Sequence, residues 1–324
     1  MSHTLQRILV PVDGSESANT AIALAIHLAG EHQAEIIFCH AVDYAAIASE
    51  TAMAGAVDLA GTFAVLDEEA KSVLTAAAKL ASAASVRASA YKLEGRSATA
   101  IVAYAIERRV DAIVMGTRGL GGLPHLLLGS TAEGVLRAAT VPVFVIHADS
   151  RITTMGPVFG SIAVAVDDSE PADAAVAFAT GLGSRSHSKM TFVTVIDSDA
   201  LHEQIALYGG YAESIQHEWE TEARHLADVA GRHARAAALP ASEIVAFGQP
   251  EEQLLSQAQN VSADLIAIGT HGRRGLRRLV MGSVAEAVVR KSPVPVVVLR
   301  SFAQLRNGHS PSNSETLRAE LVPA

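Results

Sequence analysis

Short apolar runs alternate with longer, alanine-rich amphipathic stretches along most of the 324-residue chain. The apolar runs are rich in β-branched residues, as the buried strands of a parallel sheet are, and the stretches between them have a helical pattern. The pattern therefore predicts alternating strands and helices, with five strands in each half of the chain. The predicted strands cover residues 7–13, 34–42, 86–93, 110–116 and 141–147, and then 161–167, 189–196, 242–247, 264–269 and 294–300.

The two halves of the chain repeat the same blocks in the same order. The block at 8–13 (ILVPVD) recurs 154 residues later at 162–167 (IAVAVD), and Val141-Pro-Val has its counterpart in Val294-Pro-Val. Such a repeat predicts two copies of one domain. The predicted boundaries are 1–147 for the first domain, 148–160 for a linker, 161–301 for the second domain and 302–324 for a polar tail.

The predicted fold class is α/β, with two tandem doubly wound, five-stranded, parallel-sheet domains of the Rossmann-like kind. Right-handed crossovers place the first strand beside the fourth, with a crevice above their carboxyl ends. The fifth strand is almost wholly apolar and lies at a sheet edge. We expect the two fifth strands to pair or pack, giving an intramolecular pseudo-dimer with pseudo-two-fold symmetry; cover by a helix or the tail is the alternative. Further association into a homo-oligomer is left open.

Two kinds of segment fit the pattern less well. Residues 43–62 and 197–211 follow the second strand of each copy and are expected to be mobile flaps over the crevices. The polar tail is expected to be disordered apart from a possible short helix at 314–321.

A spaced glycine pattern occurs once in each copy. The first comprises Gly116, Gly119, Gly129 and Ser130, and the second comprises Gly269, Gly272, Gly282 and Ser283. Each lies between a predicted strand and a predicted helix, where backbone N–H groups and the helix dipole favour an anion. Ser130-Thr-Ala-Glu133 and Ser283-Val-Ala-Glu286 also fit a capping box. Capping leaves the upstream glycines unexplained, so the pattern predicts a phosphate site.

Polar residues also end the first strand of each copy. Asp13 and Asp167 would lie at the crevice mouth, where a carboxylate accepts hydrogen bonds from a ribose hydroxyl or a base amine. A role at the start of the following helix is the alternative, and the residues alone do not decide between the two. Ser15 and Ser169 are predicted to cap that helix rather than to act as nucleophiles, because no histidine recurs beside them.

The charge of the chain narrows the class of partner. A formal net charge of −9 argues against nucleic-acid binding. The basic residues near the glycine patterns are uneven, which predicts electrostatically unequal sites. They are Arg118 and His125 in the first pattern, and Arg273, Arg274, Arg277 and Arg278 in the second.

The single cysteine, Cys39, lies in an apolar run, so an intrachain disulfide is excluded and a reducing compartment is indicated. We expect a small buried hydrophobe at this position. The N-terminus has no apolar signal core, and no apolar run reaches the ~18 residues that span a bilayer. These features predict a cytoplasmic protein without a membrane partner.

The sequence lacks the motifs of several familiar kinds of nucleotide and metal site. Neither copy has the Walker lysine motif, and the first strand is not followed by Gly-x-Gly-x-x-Gly, which argues against a nicotinamide site. His217, His225 and His233 recur every eight residues, so they do not share a helix face, and no protein-only metal site is predicted.

The pattern Gly-x2-Gly-x9-Gly-Ser, an aspartate that ends the first strand and a Val-Pro-Val fifth strand together resemble the universal stress protein family, in particular its tandem-domain members. The resemblance covers about residues 5–147 and 160–300. In the ATP-binding branch of that family, adenosine lies between the first, second and fourth strands. The glycine pattern holds the triphosphate with a divalent cation (Mg²⁺ or Mn²⁺).

The resemblance implies a set of nucleotide contacts in each copy. In the first they are Pro11, Val12, Asp13, Ala41, Met115, Gly116, Arg118, Gly119, Gly129, Ser130 and Thr131. In the second they are Val166, Asp167, Val195, Ile268, Gly269, His271, Gly272, Gly282, Ser283 and Val284. Asp168 in place of Gly14 and Ala165 in place of Pro11 predict ATP sites of unequal affinity.

The expected function is that of an ATP-binding, nucleotide-dependent regulator of the stress response, with an unidentified protein partner. The alternatives are a slow ATPase or phosphotransferase and a nucleotide-free protein-interaction module. No catalytic residue is predicted, because no general base recurs in both copies, although weak hydrolysis is left open. The intact glycine patterns count against the interaction module.

Overall fold

A computed structural model describes residues 5–53, 58–117, 128–152, 156–208, 211–270, 281–300 and 318–323. The chain forms two compact units. The first unit contains residues 5–150 and the chain end at 318–323, and the second lies within residues 151–300.

The first unit has a parallel sheet covered by helices. Its strands are β1 (Arg7–Pro11), β2 (Glu35–Val42), β3 (Ala88–Glu94), β4 (Ala112–Gly116) and β5 (Val143–Ile146). Its helices are α1 (Glu16–His32), α2 (Tyr44–Met53), α3 (Leu59–Ala83), α4 (Ser97–Glu107) and α5 (Ser130–Ala138). The strand order β3-β2-β1-β4-β5 places the topological switch point between β1 and β4.

The second unit repeats this arrangement. Its strands are β6 (Ser161–Ala165), β7 (Lys189–Asp197), β8 (Ala241–Gly248), β9 (Leu265–Gly269) and β10 (Val296–Leu299). Its helices are α6 (Glu170–Ser186), α7 (Ser198–Tyr208), α8 (Ala212–Ala236), α9 (Pro250–Asn260) and α10 (Ser283–Lys291). The order β8-β7-β6-β9-β10 is the same as the order of the corresponding strands in the first unit. The predicted pair of doubly wound parallel-sheet domains is therefore confirmed.

The structure corrects the prediction for the segments that follow the second strand of each unit. The segment at 43–62 contains α2, and the segment at 197–211 contains α7. The first of these segments is alanine-rich, and most of the described residues in both are helical rather than irregular.

The chain end also differs from its prediction. Residues 319–321 form the short strand β11 (Ala319–Leu321), which pairs antiparallel with β3. The predicted short helix at 314–321 is therefore wrong for residues 319–321. These residues pair with the backbone of β3, a partner that the sequence pattern does not reveal.

An aspartate at the start of β4 ties the first strand to the fourth. The Asp111 carboxylate accepts hydrogen bonds from the backbone N–H of Gln6 at 2.7 Å and of Arg7 at 2.8 Å. Asp264 repeats the contact in the second unit, accepting from Gly160 at 2.8 Å and Ser161 at 3.0 Å. These bonds fix the central strands at the end of the sheet opposite the switch-point crevice.

Two glycines of the spaced pattern are explained by packing. A Cβ at Gly116 would lie 2.7 Å from the backbone carbonyl carbon of Ser17 in α1. A Cβ at Gly269 would lie 2.8 Å from the corresponding atom of Pro171 in α6. Since real Cβ atoms do not approach backbone so closely, glycine lets the first turn of each helix rest on the end of the fourth strand.

We therefore expect Gly116→Ala to lower the free energy of unfolding by about 1–3 kcal/mol, because the backbone of α1 must shift. Gly30→Ala is the matched control, since its Cβ would meet nothing within 4 Å. In the interior of α1 that control should be neutral or stabilising by up to about 1 kcal/mol. Denaturant midpoints measure both changes, and equal effects would contradict the packing account.

Candidate functional site

A cavity of about 380 Å³ lies at the carboxyl ends of the central strands of the first unit. It is lined by the ends of β1, β2 and β4 together with the first residues of α5. The structure brings together there the described residues that the resemblance singled out, namely Pro11, Val12, Asp13, Ala41, Met115, Gly116, Gly129, Ser130 and Thr131. Arg118 and Gly119 lie outside the described residues.

The start of α5 closes one side of this cavity. Gly129 is the N-cap residue, with an extended backbone (φ −66°, ψ 148°) and no side chain to accept from the helix. Its own N–H donates to the carbonyl of Thr117 at 2.8 Å, and its carbonyl accepts from Glu133 at 2.9 Å. The capping box, which was the alternative to a phosphate site, does not form here, because Ser130 is the first helical residue and not the cap.

An uncapped helix start leaves backbone donors for another partner. In the part of the chain that the structure describes, no side chain caps the first turn of α5, whose residues Ser130, Thr131 and Ala132 line the cavity. Their N–H groups point out of the helix start and carry the positive end of its dipole. This arrangement suits an anion.

Asp13 lines the same cavity as the start of α5 and is half-buried. One carboxylate oxygen accepts from the Ser15 N–H at 3.0 Å, and the Ser15 hydroxyl accepts from the Ala18 N–H at 3.2 Å. The prediction that Ser15 caps α1 is confirmed. The helix start thus holds Asp13 in place at the cavity wall, so the two roles considered for it are compatible.

Sequence reasoning missed three polar residues that line the cavity: His40, Ser97 and Thr117. The Nδ1 of His40 lies 2.7 Å from the Val12 carbonyl oxygen. A carbonyl only accepts, so Nδ1 carries the proton and a neutral ring keeps Nε2 as an acceptor. His40 gave no signal because the repeat places Thr194 at the equivalent position.

Cys39 is among the residues that line the cavity and is fully buried, which confirms the expectation that it is a small buried hydrophobe. Burial raises the pKa of its thiol well above the ordinary value. The thiolate, which is the nucleophilic form, is therefore strongly disfavoured.

The second unit builds the same helix start. Gly282 caps α10 in an extended conformation (φ −64°, ψ 150°) without a side-chain hydrogen bond, so the alternative capping box at Ser283 does not form either. The Gly282 N–H donates to the carbonyl of Thr270 at 2.7 Å. Val284 follows in the first turn of α10.

The start of α6 repeats the arrangement at α1. One carboxylate oxygen of Asp167 accepts from both the N–H and the hydroxyl of Ser169, and Ser169 caps α6 as predicted. Of the other residues proposed for the second site, Val166 and Ile268 are buried, and Val195 and Gly269 are half-buried. His271 and Gly272 lie outside the described residues.

The two units differ in the charge at these helix starts. The start of α6 carries four carboxylates, at Asp167, Asp168, Glu170 and Asp173, and burial and the other three raise the pKa of Asp173. The corresponding segment before and within α1 carries only Asp13 and Glu16. The arginines of the second glycine pattern lie outside the described residues.

Metal-ligand clusters and membrane-spanning helices are both absent from the described residues. No group of three or more histidine, cysteine, aspartate or glutamate side chains there could hold a metal ion. In the same part of the chain, no helix is both long enough and apolar enough to cross a membrane.

The sequence profile of the Universal stress protein family matches residues 4–147 and again residues 159–300. The chain belongs to the universal stress protein family. The predicted resemblance to a tandem-domain member is confirmed, because the profile matches twice along one chain.

Individual relatives agree with this assignment. A universal stress protein of Mycobacterium tuberculosis is 33% identical over 196 residues, or 60% of this chain and 63% of the relative, so this chain spans less than two thirds of its length. A Mycolicibacterium smegmatis universal stress protein is 27% identical over 307 residues, covering 92% and 98% of the two chains. The crystal structure of an Archaeoglobus fulgidus universal stress protein matches 93% of this chain and 99% of that one, with a TM-score of 0.66 and 22% identity. At that identity the likeness concerns the fold.

The burial of Cys39 predicts that its thiol is protected in the folded protein. At pH 8 we expect a thiol reagent such as Ellman's reagent to leave the native chain unlabelled and to label one thiol per chain after denaturation, since the sequence has one cysteine. Rapid labelling of the native chain would contradict the burial of Cys39.

Proposed function

We propose that this universal stress protein binds ATP in the switch-point cleft of its first unit and acts in the cytoplasm as a nucleotide-dependent regulator of the stress response. The observation that carries the proposal is the uncapped start of α5, which lines the same cavity as Asp13. One end of that cavity suits phosphate and the other suits a nucleoside.

The phosphate end consists of backbone donors. The N–H groups of Ser130, Thr131 and Ala132 begin a nine-residue helix, and Gly129 places no side chain in front of them. Because the Gly129 N–H is already bonded to Thr117, the helix start is fixed relative to β4. A preorganised row of donors and the helix dipole together favour a polyphosphate.

The nucleoside end combines apolar walls with a few polar groups. Ala41, Ile101 and Met115 line it and can pack against a base, while Asp13 can accept from ribose hydroxyls. His40 holds the Val12 carbonyl at 2.7 Å and so fixes the strand end that a base would meet. The volume of about 380 Å³ lies within the range of small-molecule sites.

A divalent cation would rest mainly on the phosphates. The described residues provide no three-ligand group of their own, and the carboxylate nearest the cleft mouth, Asp13, already accepts from Ser15. When bound, the cation would neutralise part of the phosphate charge next to α5.

The proposal extends to the second unit with a weaker site. Gly282 and α10 repeat the uncapped helix start, which supports phosphate binding there. The four carboxylates at the start of α6 oppose a polyanion more strongly than the two at the corresponding segment of the first unit.

The substitution Ser130→Pro tests whether the start of α5 binds the phosphates of ATP. Gly129 is extended (ψ 148°) and Ser130 is the first helical residue, a place where proline is well tolerated, so Ser130→Pro should remove one N–H without breaking α5. We expect ATP affinity in the first unit to fall about tenfold or more, because a hydrogen bond to a charged group is lost. Isothermal titration calorimetry with ATP and Mg²⁺ measures the change.

Ser130→Ala is the matched control, since it removes the hydroxyl and keeps the N–H. It should retain most of the affinity, and circular dichroism should show both variants folded. Equal ATP affinity in the wild type and in a folded Ser130→Pro variant would remove the support for phosphate at α5.

The charge asymmetry gives a separate prediction for the second unit. Asp168→Asn with Asp173→Asn, made in the Ser130→Pro background, should strengthen ATP binding in the second unit about threefold or more, because two repelling charges are removed. Glu203→Gln with Glu213→Gln, on α7 and α8, is the charge-matched control. The same gain from both double variants would show a general charge effect and not a local one.

A further inference from the structure

The C-terminal strand β11 occupies the outer edge of β3. The register places Ala319 opposite Leu93, Glu320 opposite Lys92 and Leu321 opposite Tyr91. Backbone bonds extend the pairing beyond the strand, because the Glu94 N–H donates to Arg318 at 3.1 Å and the Val322 N–H donates to Ala90 at 2.8 Å. Backbone groups of a sheet edge accept any extended segment, so the side chains must decide which segment binds.

Lys92 is the main side chain that selects this segment. Its ammonium lies 3.0 Å from a carboxylate oxygen of Glu320 and 2.8 Å from one of Asp67, and its side chain is only 13% exposed. Burial disfavours its charge, but the bonds to Asp67 and Glu320 raise the pKa of Lys92 above its ordinary value. Glu320 therefore supplies a second carboxylate to a shielded ammonium.

A second pair of charges sets the register. Arg318 lies 3.8 Å from Glu94, and both side chains are too exposed for this contact to add much stability. Sliding β11 by two residues one way would bring Glu320 opposite Glu94, and sliding it the other way would bring Arg318 opposite Lys92. Like charges directly opposite are destabilising, so both slipped registers are disfavoured.

The equivalent edge in the second unit lacks these charges. β8 corresponds to β3, and each of the two strands is followed or ended by a glycine with positive φ, Gly95 and Gly248. Aligned on those glycines, Val245 replaces Lys92 and Phe247 replaces Glu94. The charged side chains that pair with the C-terminal strand are therefore present on β3 and not at the equivalent positions of β8.

We propose that the edge of β3 is a strand-binding site for the C-terminal strand of a second copy of this chain, so that two chains exchange β11. The exchanged strand makes the same contacts as the chain's own strand. β11 is three residues long and all three residues are exposed, so few contacts hold it. The chain's own strand competes by its high effective concentration, and exchange grows with protein concentration.

Two full-length variants with opposite charge mismatches test the exchange. Lys92→Glu places a glutamate opposite its own Glu320, and Glu320→Lys places a lysine opposite its own Lys92. In a mixed pair, each strand meets an edge of opposite charge on the other chain. Native mass spectrometry of an equimolar mixture, with one variant isotopically labelled, should show heterodimers at least about tenfold above either homodimer.

The double variant Lys92→Glu with Glu320→Lys is the matched control, because it restores opposite charges within one chain and should associate no more than the wild type. Absence of heterodimer enrichment with both single variants folded would overturn the proposal. Association of the double variant as strong as that of the mixed single variants would also overturn the proposal, since the charges across the edge would then not matter.

A peptide experiment covers the case in which Lys92→Glu does not fold. In the full-length Glu320→Lys chain, the native edge repels the chain's own strand. A fluorescent peptide of residues 316–324 should therefore bind it at least about tenfold more tightly than it binds the wild type, as measured by anisotropy. The same peptide carrying Glu320→Lys should not bind. Equal binding of both peptides, or crosslinking of the native peptide to β8 instead of β3, would overturn the proposal.

Discussion

The contact that the rest of each unit depends on is the one between the first turn of the first helix and the end of the fourth strand. At Gly116 and Gly269 the backbone of the helix lies only 2.7 Å and 2.8 Å from the position that a Cβ would take. The next residue of each strand end, Thr117 or Thr270, accepts a hydrogen bond from the glycine that caps the last helix of the unit. Two helix starts and the central strand ends are thereby held around one point, so the cleft follows from packing within the fold.

The spaced glycines consequently serve two different physical purposes. The glycine at the strand end permits close packing, whereas Gly129 and Gly282 leave the helix start without a side-chain acceptor. The first helix of each unit is completed by its own serine, Ser15 or Ser169, and the last helix is not. The proposed nucleotide would bind the backbone donors that no described side chain caps at these helix starts.

Sequence pattern predicted all ten strands of the two sheets to within a few residues, because their β-branched apolar runs are long, buried and repeated. It missed β11, whose partner β3 lies more than two hundred residues away and whose residues carry no apolar run. It mistook α2 and α7 for irregular segments, and for α2 the reason is that an alanine-rich stretch has little periodicity. The described residues that the sequence proposed for the first-unit site lie around one cavity, which the repeated motifs made predictable. His40 does not repeat, and only the structure shows its bond to Val12. Close packing at Gly116 could not be foreseen, because it depends on where α1 lies.

The central claim is that ATP lies in the first-unit cleft, with its phosphates at the start of α5. Amide hydrogen exchange with and without saturating ATP and Mg²⁺ tests it most directly, because the proposed donors are backbone N–H groups. The account predicts slower exchange at Ser130, Thr131 and Ala132 and at the end of β1. Protection confined to other surfaces, such as the groove between Arg224 of α8 and Phe247 of β8, or no protection at all, would contradict it.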